Sequence, residues 1–234
     1  MLALEGVTAG YRPGQDVLHG VTLKVDAGET VALVGRNGMG KTTLFRAITG
    51  VIRSSGEIRL SGRDFSREPS YRRARSGLGY VPQGRDIFTG LSVFENLMVA
   101  ADSSRRSTRR ERVHETLAEF PQLQERMDAP GDRLSGGQQQ LLALARALVT
   151  APSFLLLDEP SEGIQPSILD EIVDVIRRVN ADRGLGVLLA EQNLDFAARV
   201  AERAVVIENG LTVDEIPMEQ LQSSAALQRR YLAI

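Results

Sequence analysis

Short apolar runs recur along this chain, and several are separated by longer segments in which apolar residues repeat every three or four positions. Short runs rich in valine, isoleucine and leucine predict β-strands, whereas the longer period predicts amphipathic helices. The predicted strands lie within the sequences LALEGVTA, VTLKV, TVALVG, GEIRLSG, LGYVPQ, FLLLDEP, GVLLAEQ and AVVIENG. The predicted helices cover residues 41–49, 136–150, 166–182 and 194–202.

The order of these elements predicts the fold class. Buried strands with helices between them favour an α/β fold with a mostly parallel central sheet. Before about residue 62, short strands and turns dominate, which predicts an N-terminal antiparallel β-subdomain beside that sheet. From about residue 88 to residue 150 the strand patterns stop and helical patterns replace them, which predicts an inserted helical subdomain. We therefore expect residues 1–234 to form a single domain.

Composition narrows the classes of protein. The 234 residues are 42% hydrophobic, which suits one domain with a substantial core. The formal net charge of -2 argues against a nucleic-acid partner, because such partners usually select a basic surface. No cysteine is present, so disulfides and thiolate metal sites are excluded. The N-terminus has no signal-peptide pattern and the apolar run FLLL is too short to cross a bilayer, so we expect a soluble chain.

A glycine-rich loop, GRNGMGKTT at residues 35–43, follows the predicted strand TVALV and opens a predicted helix. It fits the phosphate-loop pattern in the strand–loop–helix context that this pattern requires. Glycines let successive backbone N–H groups turn towards phosphate oxygens, and the helix N-terminus adds a positive dipole end. Lys41 would supply a charged donor to the terminal phosphates, and the Thr42 hydroxyl would be a magnesium ligand. The residues predicted to bind the nucleotide in this loop are Gly35, Asn37, Gly38, Gly40, Lys41, Thr42 and Thr43.

The predicted strand FLLLDEP ends in two acidic residues. A strand buried on both faces, with carboxylates at its C-terminal end, is where ligands bind in an open α/β sheet. Asp158 would hold magnesium through water, and Glu159 would be the general base that polarises the attacking water. Solvated acids at a strand end are the structural alternative. On these two motifs alone, a kinase, a simple GTPase and a helicase-like motor all remain open.

The sequence LSGGQQQ, residues 134–140, lies upstream of LLLDEP and directly before a predicted helix. It resembles the signature motif of ABC-type ATPases. Gln83, in YVPQGR, and Tyr11 stand where this family has its Q-loop glutamine and an aromatic ring stacked on adenine. The resemblance covers essentially the whole chain, and it implies a P-loop NTPase fold that hydrolyses ATP with Mg²⁺. It also implies a catalytic and metal-binding role for Gln83, beside the metal ligands Thr42 and Asp158.

In the family that the chain resembles, two ATPase subunits close head to tail around two nucleotides. The resemblance therefore implies that Ser135, Gly136 and Gly137 hold the γ-phosphate of an ATP seated on a second ATPase subunit, of the same or a related chain. A serine hydroxyl, glycine amides and a helix start form a neutral anion receptor. The alternative is local: Ser135 can equally cap the helix that follows it.

Two positions depart from the common pattern of the family. Gln192 stands where most relatives have a switch histidine, and Gln165 where many have an aspartate. A glutamine amide can donate to a γ-phosphate as a neutral imidazole does, but it does not titrate. Both departures resemble the ATPases of importers for branched-chain amino acids, urea or short amides. An exporter ATPase or a non-transport ABC ATPase is the alternative.

This resemblance implies further partners. They are transmembrane permease subunits and, indirectly, a periplasmic or extracellular substrate-binding protein, with the chain at the cytoplasmic face of the membrane. The docking cleft for the permeases would involve Gln83 and residues 84–96, whose apolar side chains could equally be core: Ile87, Phe88, Leu91 and Phe94. A basic run at residues 102–112 is a solvated helix face or, as the sharper alternative, a contact with anionic lipid headgroups.

Overall fold

The computed structural model describes residues 1–101 and 106–232. Its strands are β1 (Leu2–Arg12), β2 (Gln15–Val25), β3 (Thr30–Val34), β4 (Ser54–Leu60), β5 (Arg63–Asp64), β6 (Leu78–Val81), β7 (Phe154–Asp158), β8 (Gly186–Ala190), β9 (Arg203–Glu208) and β10 (Leu211–Pro217). Its α-helices are α1 (Lys41–Ile48), α2 (Ser70–Arg75), α3 (Val93–Ala100), α4 (Arg106–Ala118), α5 (Pro121–Gln124), α6 (Gly136–Leu148), α7 (Pro166–Arg183), α8 (Leu194–Ala197), α9 (Met218–Ser223) and α10 (Ala225–Leu232).

The strands form two sheets. The first has the order β2-β1-β4-β5 and is antiparallel throughout. The second has the order β10-β9-β3-β8-β7-β6, in which every pairing except β10 with β9 is parallel. The predicted α/β fold with a mostly parallel sheet and an N-terminal antiparallel sheet is therefore confirmed, although β3 leaves the N-terminal region to join the parallel sheet.

The centre of the parallel sheet consists of strands without a polar face. Every residue of β3 (TVALV), β7 (FLLLD) and β8 (GVLLA) is buried, as expected for strands covered on both sides. The three strands are parallel neighbours, so their carboxyl ends lie at the same edge of the sheet. The phosphate loop, the two acids after FLLL and the segment that contains Gln192 leave the sheet at this edge.

Between β6 and β7 the described residues form helices, which follow the predicted change of pattern. Phe120 and Leu123, near α5, and Leu144, on α6, belong to the same buried cluster as Leu155 of β7. The predicted basic run falls partly outside the described residues, because residues 102–105 are not among them. Within the described part of the run, the guanidinium of Arg110 stacks over the ring of Phe94 at 5.6 Å.

One predicted helix was too long, and two strands, the two-residue β5 and the longer β10, were not predicted. The helix expected at residues 194–202 ends at Ala197. By Glu202 the chain has reached the sheet, because the backbone N–H of Glu202 donates to the carbonyl oxygen of Thr30 at the start of β3. The strand β10 pairs with β9 across a turn at Asn209 and Gly210, both at positive φ. Asn-Gly is the strongest short-range hairpin signal, so the sequence did carry the information for this strand.

We find no helix among residues 1–101 and 106–232 with the length and apolarity needed to cross a membrane.

Candidate functional site

The phosphate loop opens onto a small cavity of about 190 Å³ at the carboxyl edge of the sheet. The structure brings most of the predicted nucleotide-binding residues of the phosphate loop together around this cavity. Glu159, from the FLLLDEP motif, also lines it. The lining residues are Asn37, Gly38, Gly40, Lys41, Thr42, Thr43, Gln83 and Glu159. Gly35, which was also predicted, contributes its backbone carbonyl oxygen, which accepts from Lys41.

Lys41 is the cation of this cavity, and its side chain is only 5% exposed. Its Nζ donates to the carbonyl oxygen of Gly35 at 2.8 Å and to that of Arg36 at 3.5 Å. It also lies 3.5 Å from Oε1 of Glu159. The loop therefore holds the ammonium group beside the cavity, where the oxygens of a polyphosphate would be its stronger partners.

Asp158 lies at the bottom of the site and is almost fully buried. Its Oδ1 accepts from the Thr42 hydroxyl at 3.3 Å, and its Oδ2 accepts from the Tyr80 hydroxyl at 3.3 Å. Burial raises the pKa of the Asp158 carboxyl, and these two hydrogen bonds lower it. Burial also raises the pKa of the Tyr80 phenol, with the Asp158 charge as the next cause, so Tyr80 is the donor of this pair.

The donor set around Asp158 suits magnesium rather than a metal held by protein alone. In the described part of the chain, no group of three acidic, histidine or cysteine side chains could hold an ion. Mg²⁺ is usually bound through one or two protein oxygens, together with waters and substrate phosphates. Thr42 and Asp158 offer such a pair beside the phosphate loop, and Gln83 lines the same cavity.

Glu159 lies at the centre of a network of side chains that come from distant parts of the sequence. Its Oε1 accepts from Nε2 of Gln192 at 2.9 Å, and its Oε2 accepts from Nε2 of Gln83 at 3.3 Å. Its backbone has a φ of 49°, in the left-handed region that non-glycine residues seldom adopt. Such strain is typical of functional sites, where the surrounding structure enforces it.

Gln192 connects this network to the phosphate loop. Besides its bond to Glu159, its Nε2 donates to Oδ1 of Asn37 at 2.6 Å. Gln83 likewise has a second partner, because its Nε2 donates to Oε2 of Glu162 at 2.9 Å. Glu159 is thus in direct contact with both of the other residues predicted to be catalytic, Gln192 and Gln83.

Tyr11 lies on the outer side of the phosphate-loop helix. Its hydroxyl is 3.3 Å from Oγ1 of Thr43, and Nη1 of Arg46 donates to it at 3.2 Å. The ring is 53% exposed and borders a cavity of about 610 Å³ formed by residues 8–13, Asp16 and residues 51–55. The guanidinium of Arg46 lies over one face of the ring, 5.6 Å from its centroid, so a planar group would stack on the other face.

The signature segment does not line the phosphate-loop cavity, in the part of the chain that is described. Ser135 is the N-cap of α6: its hydroxyl accepts from the backbone N–H of Gln138, and the Gln138 side chain accepts from the Ser135 N–H. Gly137 has a packing reason of its own, because a Cβ there would approach Cγ1 of Ile168 to 2.6 Å. The local alternative is therefore stronger than the sequence indicates, since capping and packing both account for these residues.

A cation lies against the start of α6. A Cβ at Gly136 would meet the guanidinium of Arg85 at 3.1 Å, and Nη1 of Arg85 donates to Oε1 of Gln139 at 3.2 Å. Arg85 and Asp86 both have positive φ, at 76° and 47°. The neutral anion receptor expected from the sequence is therefore accompanied by a positive charge.

The predicted docking segment splits into two groups. Phe88 is 43% exposed and packs under the guanidinium of Arg146, whereas Ile87 and Phe94 pack against the core and Leu91 is half-buried. Beside this segment lies a cavity of about 310 Å³ between α2, β6, α3 and α6. Only Phe88 among the four apolar residues is thus placed as a surface contact.

Sequence reasoning missed several residues of the site. Tyr80, in YVPQ, lies three positions before the predicted Gln83. Glu191, in AEQN, directly precedes the predicted Gln192. Glu162 follows the acidic pair by three positions and contacts Gln83. The signal was the position at or just after the carboxyl end of a buried parallel strand, where polar side chains meet.

A phosphate loop at the end of the buried parallel strand β3, with paired acids at the end of β7 in the same sheet, defines a P-loop nucleotide-binding protein. The family described as ABC transporter matches residues 18–162. The chain belongs to the ABC transporter family, and it is an ATP-hydrolysing cassette of that family.

Relatives of more than one transport direction resemble the chain. The high-affinity branched-chain amino acid transport ATP-binding protein BraG of Pseudomonas aeruginosa is 39% identical, over 91% of each chain. The lipopolysaccharide export system ATP-binding protein LptB of Escherichia coli is 38% identical, over 94% of this chain and 92% of its own. A solved dimeric ATP-binding cassette in a post-hydrolysis state, bound to ADP and Pi, has a TM-score of 0.82 at 25% identity and covers 93% of this chain and 99% of its own.

Proposed function

We propose that this chain is the ATP-hydrolysing subunit of an importer for branched-chain amino acids, urea or related amides. The network of Glu159, Gln192, Asn37 and Lys41 carries the hydrolytic part of this proposal. The similarity to BraG and the glutamine at the switch position support the import part. The ATPase does not touch the cargo, so branched-chain amino acids rest on the similarity to BraG, and urea and related amides rest on the resemblance carried by Gln165 and Gln192.

Each residue around the cavity has a role in binding ATP. Lys41 exchanges its bonds to the loop carbonyls and Glu159 for oxygens of the β- and γ-phosphates, while the amides of residues 38–43 receive the remaining oxygens. Adenine stacks on the exposed face of Tyr11. Thr42, Asp158 and Gln83 would hold Mg²⁺, which, when bound, neutralises charge on the phosphates.

Hydrolysis follows from the position of Glu159. A carboxylate that Gln192 and Gln83 hold by hydrogen bonds is fixed in orientation, as a general base must be to receive a proton from water. Gln192 donates to both this carboxylate and Asn37 of the phosphate loop, and its amide would donate to the γ-phosphate in exchange for the bond to Asn37. Because an amide does not titrate, this contact is independent of pH near neutrality.

The signature completes the site only in a pair of ATPase subunits. The first amides of α6, the Ser135 hydroxyl and the Arg85 guanidinium together form an anion receptor, in which Arg85 donates to the neutral Gln139. A γ-phosphate on a second ATPase subunit, of the same or a related chain, supplies that anion. The dimeric cassette bound to ADP and Pi supports this arrangement.

The membrane partners are permease subunits, and docking them brings the chain to the cytoplasmic face of the membrane. The cavity of about 310 Å³ beside Asp86, together with the exposed Phe88, is the surface we assign to them. A substrate-binding protein would act on the permeases and reach this chain only indirectly. The similarity to LptB favours, as a second candidate, an exporter ATPase docked through the same surface.

Copurification separates the importer from the exporter. We expect the tagged chain, isolated from membranes with its permeases, to increase its ATP hydrolysis several-fold when a substrate-binding protein loaded with leucine or urea is added. The same complex with the empty binding protein is the control. Recovery of lipopolysaccharide-export membrane proteins, with no response to a loaded binding protein, would contradict the importer and support the exporter.

A further inference from the structure

One buried carboxylate near the site has no role in the chemistry above. Glu191 directly follows β8, precedes Gln192, and is only 2% exposed. Its Oε1 accepts from the backbone N–H of Ser161 at 2.9 Å. Its Oε2 accepts from the backbone N–H groups of Gln192 and Asn193, each at 3.0 Å.

Burying a carboxylate is costly unless it is well hydrogen-bonded. Burial raises the pKa of Glu191, while the three N–H donors lower it and so favour the ionised form. These donors come from two loops: Ser161 belongs to the loop after β7, and Gln192 and Asn193 begin the loop after β8. One side chain therefore fixes the two loops relative to each other.

These are the two loops that bring the general base and its amide partner together. Glu159 lies two residues before Ser161, and its backbone N–H donates to the carbonyl oxygen of Ala190, next to Glu191. The bond between Gln192 Nε2 and Glu159 Oε1 spans the same gap at 2.9 Å. A displacement of either loop would lengthen that bond without touching the phosphate loop.

We propose that Glu191 is a positioning residue for hydrolysis: its buried carboxylate joins Ser161 to the backbone of Gln192 and so holds the Gln192 amide against Glu159. The proposal rests on the functions proposed for Glu159 and Gln192. Glu191 does not contact the nucleotide cavity. Its loss therefore changes the rate of the chemical step and leaves ATP binding unchanged.

The isosteric variant Glu191→Gln tests this directly. Its amide nitrogen cannot accept an N–H, so at least one of the three bonds is replaced by two facing donors. We expect kcat to fall about 10-fold, as for the loss of a charge-assisted hydrogen bond, with the KM and Kd for ATP unchanged. Glu171→Gln is the matched control, because burial also raises the pKa of Glu171 but its partner is Gln122 on α5.

A double-mutant cycle with Gln192→Ala separates positioning from general destabilisation. If Glu191 acts through Gln192, the double variant has the kcat of Gln192→Ala alone. Losses of kcat that multiply, or a raised Kd for ATP in Glu191→Gln, would overturn the proposal. If Glu191→Gln does not fold, Glu191→Asp, which keeps the charge on a shorter side chain, enters the same cycle.

The cycle also distinguishes this proposal from the proposed function beneath it. A Gln192→Ala variant with unchanged turnover would contradict the role of Gln192 itself, whatever Glu191 does. A Gln192→Ala variant with reduced turnover, beside a Glu191→Gln variant with normal kcat, would contradict the role of Glu191 only.

Discussion

The two anion-binding regions of this chain are built differently. Around the phosphate loop, Lys41, Glu159 and Gln192 already bond to one another or to the loop, and they converge at one cavity. At the start of α6, the Ser135 hydroxyl bonds to its own helix turn, and a cation, Arg85, lies beside the helix start. A cation beside the positive end of a helix dipole is unfavourable until an anion joins them. The comparison shows that the phosphate-loop region makes its contacts within a single chain, whereas the start of α6 gains most from a ligand on a second chain.

The largest expected effect comes from removing the proposed general base, Glu159, in the phosphate-loop region. Glu159→Gln should reduce ATP hydrolysis at least about 100-fold, because general-base catalysis is lost while the phosphate cradle remains. Binding of ATP, measured by equilibrium titration, should persist. Glu171→Gln, at an acid outside the site whose partner is Gln122, is the control. Near-normal hydrolysis in Glu159→Gln would move the base elsewhere.

The second prediction separates a helix cap from a phosphate receptor in the other region. Aspartate caps a helix as well as serine does, but its charge repels a phosphate. Ser135→Asp should therefore retain the melting temperature and the affinity of the monomer for ATP, yet lose about 30-fold in hydrolysis. Ser135→Asn, a neutral cap, is the control. Equal activity of the aspartate variant and the wild type would leave Ser135 as a cap and no more.

The difference between the two regions also shows what the sequence could predict. The phosphate loop and the acids after FLLL were predictable, because local motifs at strand ends converge once the sheet is parallel. The sequence did not predict the hydrogen bond of Tyr80 to Asp158 or the bonds of Glu191 to the backbone of Ser161, Gln192 and Asn193. Both depend on how separate strands align. Nor did the sequence show that Gly137 is packed against Ile168, a contact between two helices.

A third prediction uses the residue that joins the base to the phosphate loop. Gln192→Ala should lower kcat about 10-fold, the typical loss of one hydrogen bond to a charged group. Gln192→His should be active at pH 8 and lose activity below about pH 6.5, because a protonated imidazole would pair with the Glu159 carboxylate and withhold the base. The wild type should show no such loss from this position. Identical pH–rate profiles for Gln192→His and the wild type would contradict this account.

The smallest expected effect concerns the hydrogen bond between Tyr80 and Asp158 in the phosphate-loop region. Tyr80→Phe removes only the hydroxyl that donates to Asp158, so we expect about a 3-fold change in the Mg²⁺ concentration that gives half-maximal activity. Binding of ATP in the absence of Mg²⁺, measured by titration, should be unchanged. Tyr71→Phe is the control, because Tyr71 is exposed on α2 and is not a hydrogen-bond partner of Asp158 among the described residues. A magnesium dependence equal to that of the wild type would show that Thr42 alone orients Asp158.

The central claim is that the signature segment is the second half of a nucleotide site. We would measure the molar mass of Glu159→Gln in solution with and without magnesium-free ATP, alone and combined with Ser135→Asp. The account predicts that ATP doubles the mass of Glu159→Gln and that Ser135→Asp abolishes the doubling while ATP still binds. Equal doubling in both variants would contradict the claim that this segment binds a nucleotide. An ATP-bound Glu159→Gln that stays a monomer would contradict binding of a second copy and would assign the partner site to a related ATPase chain.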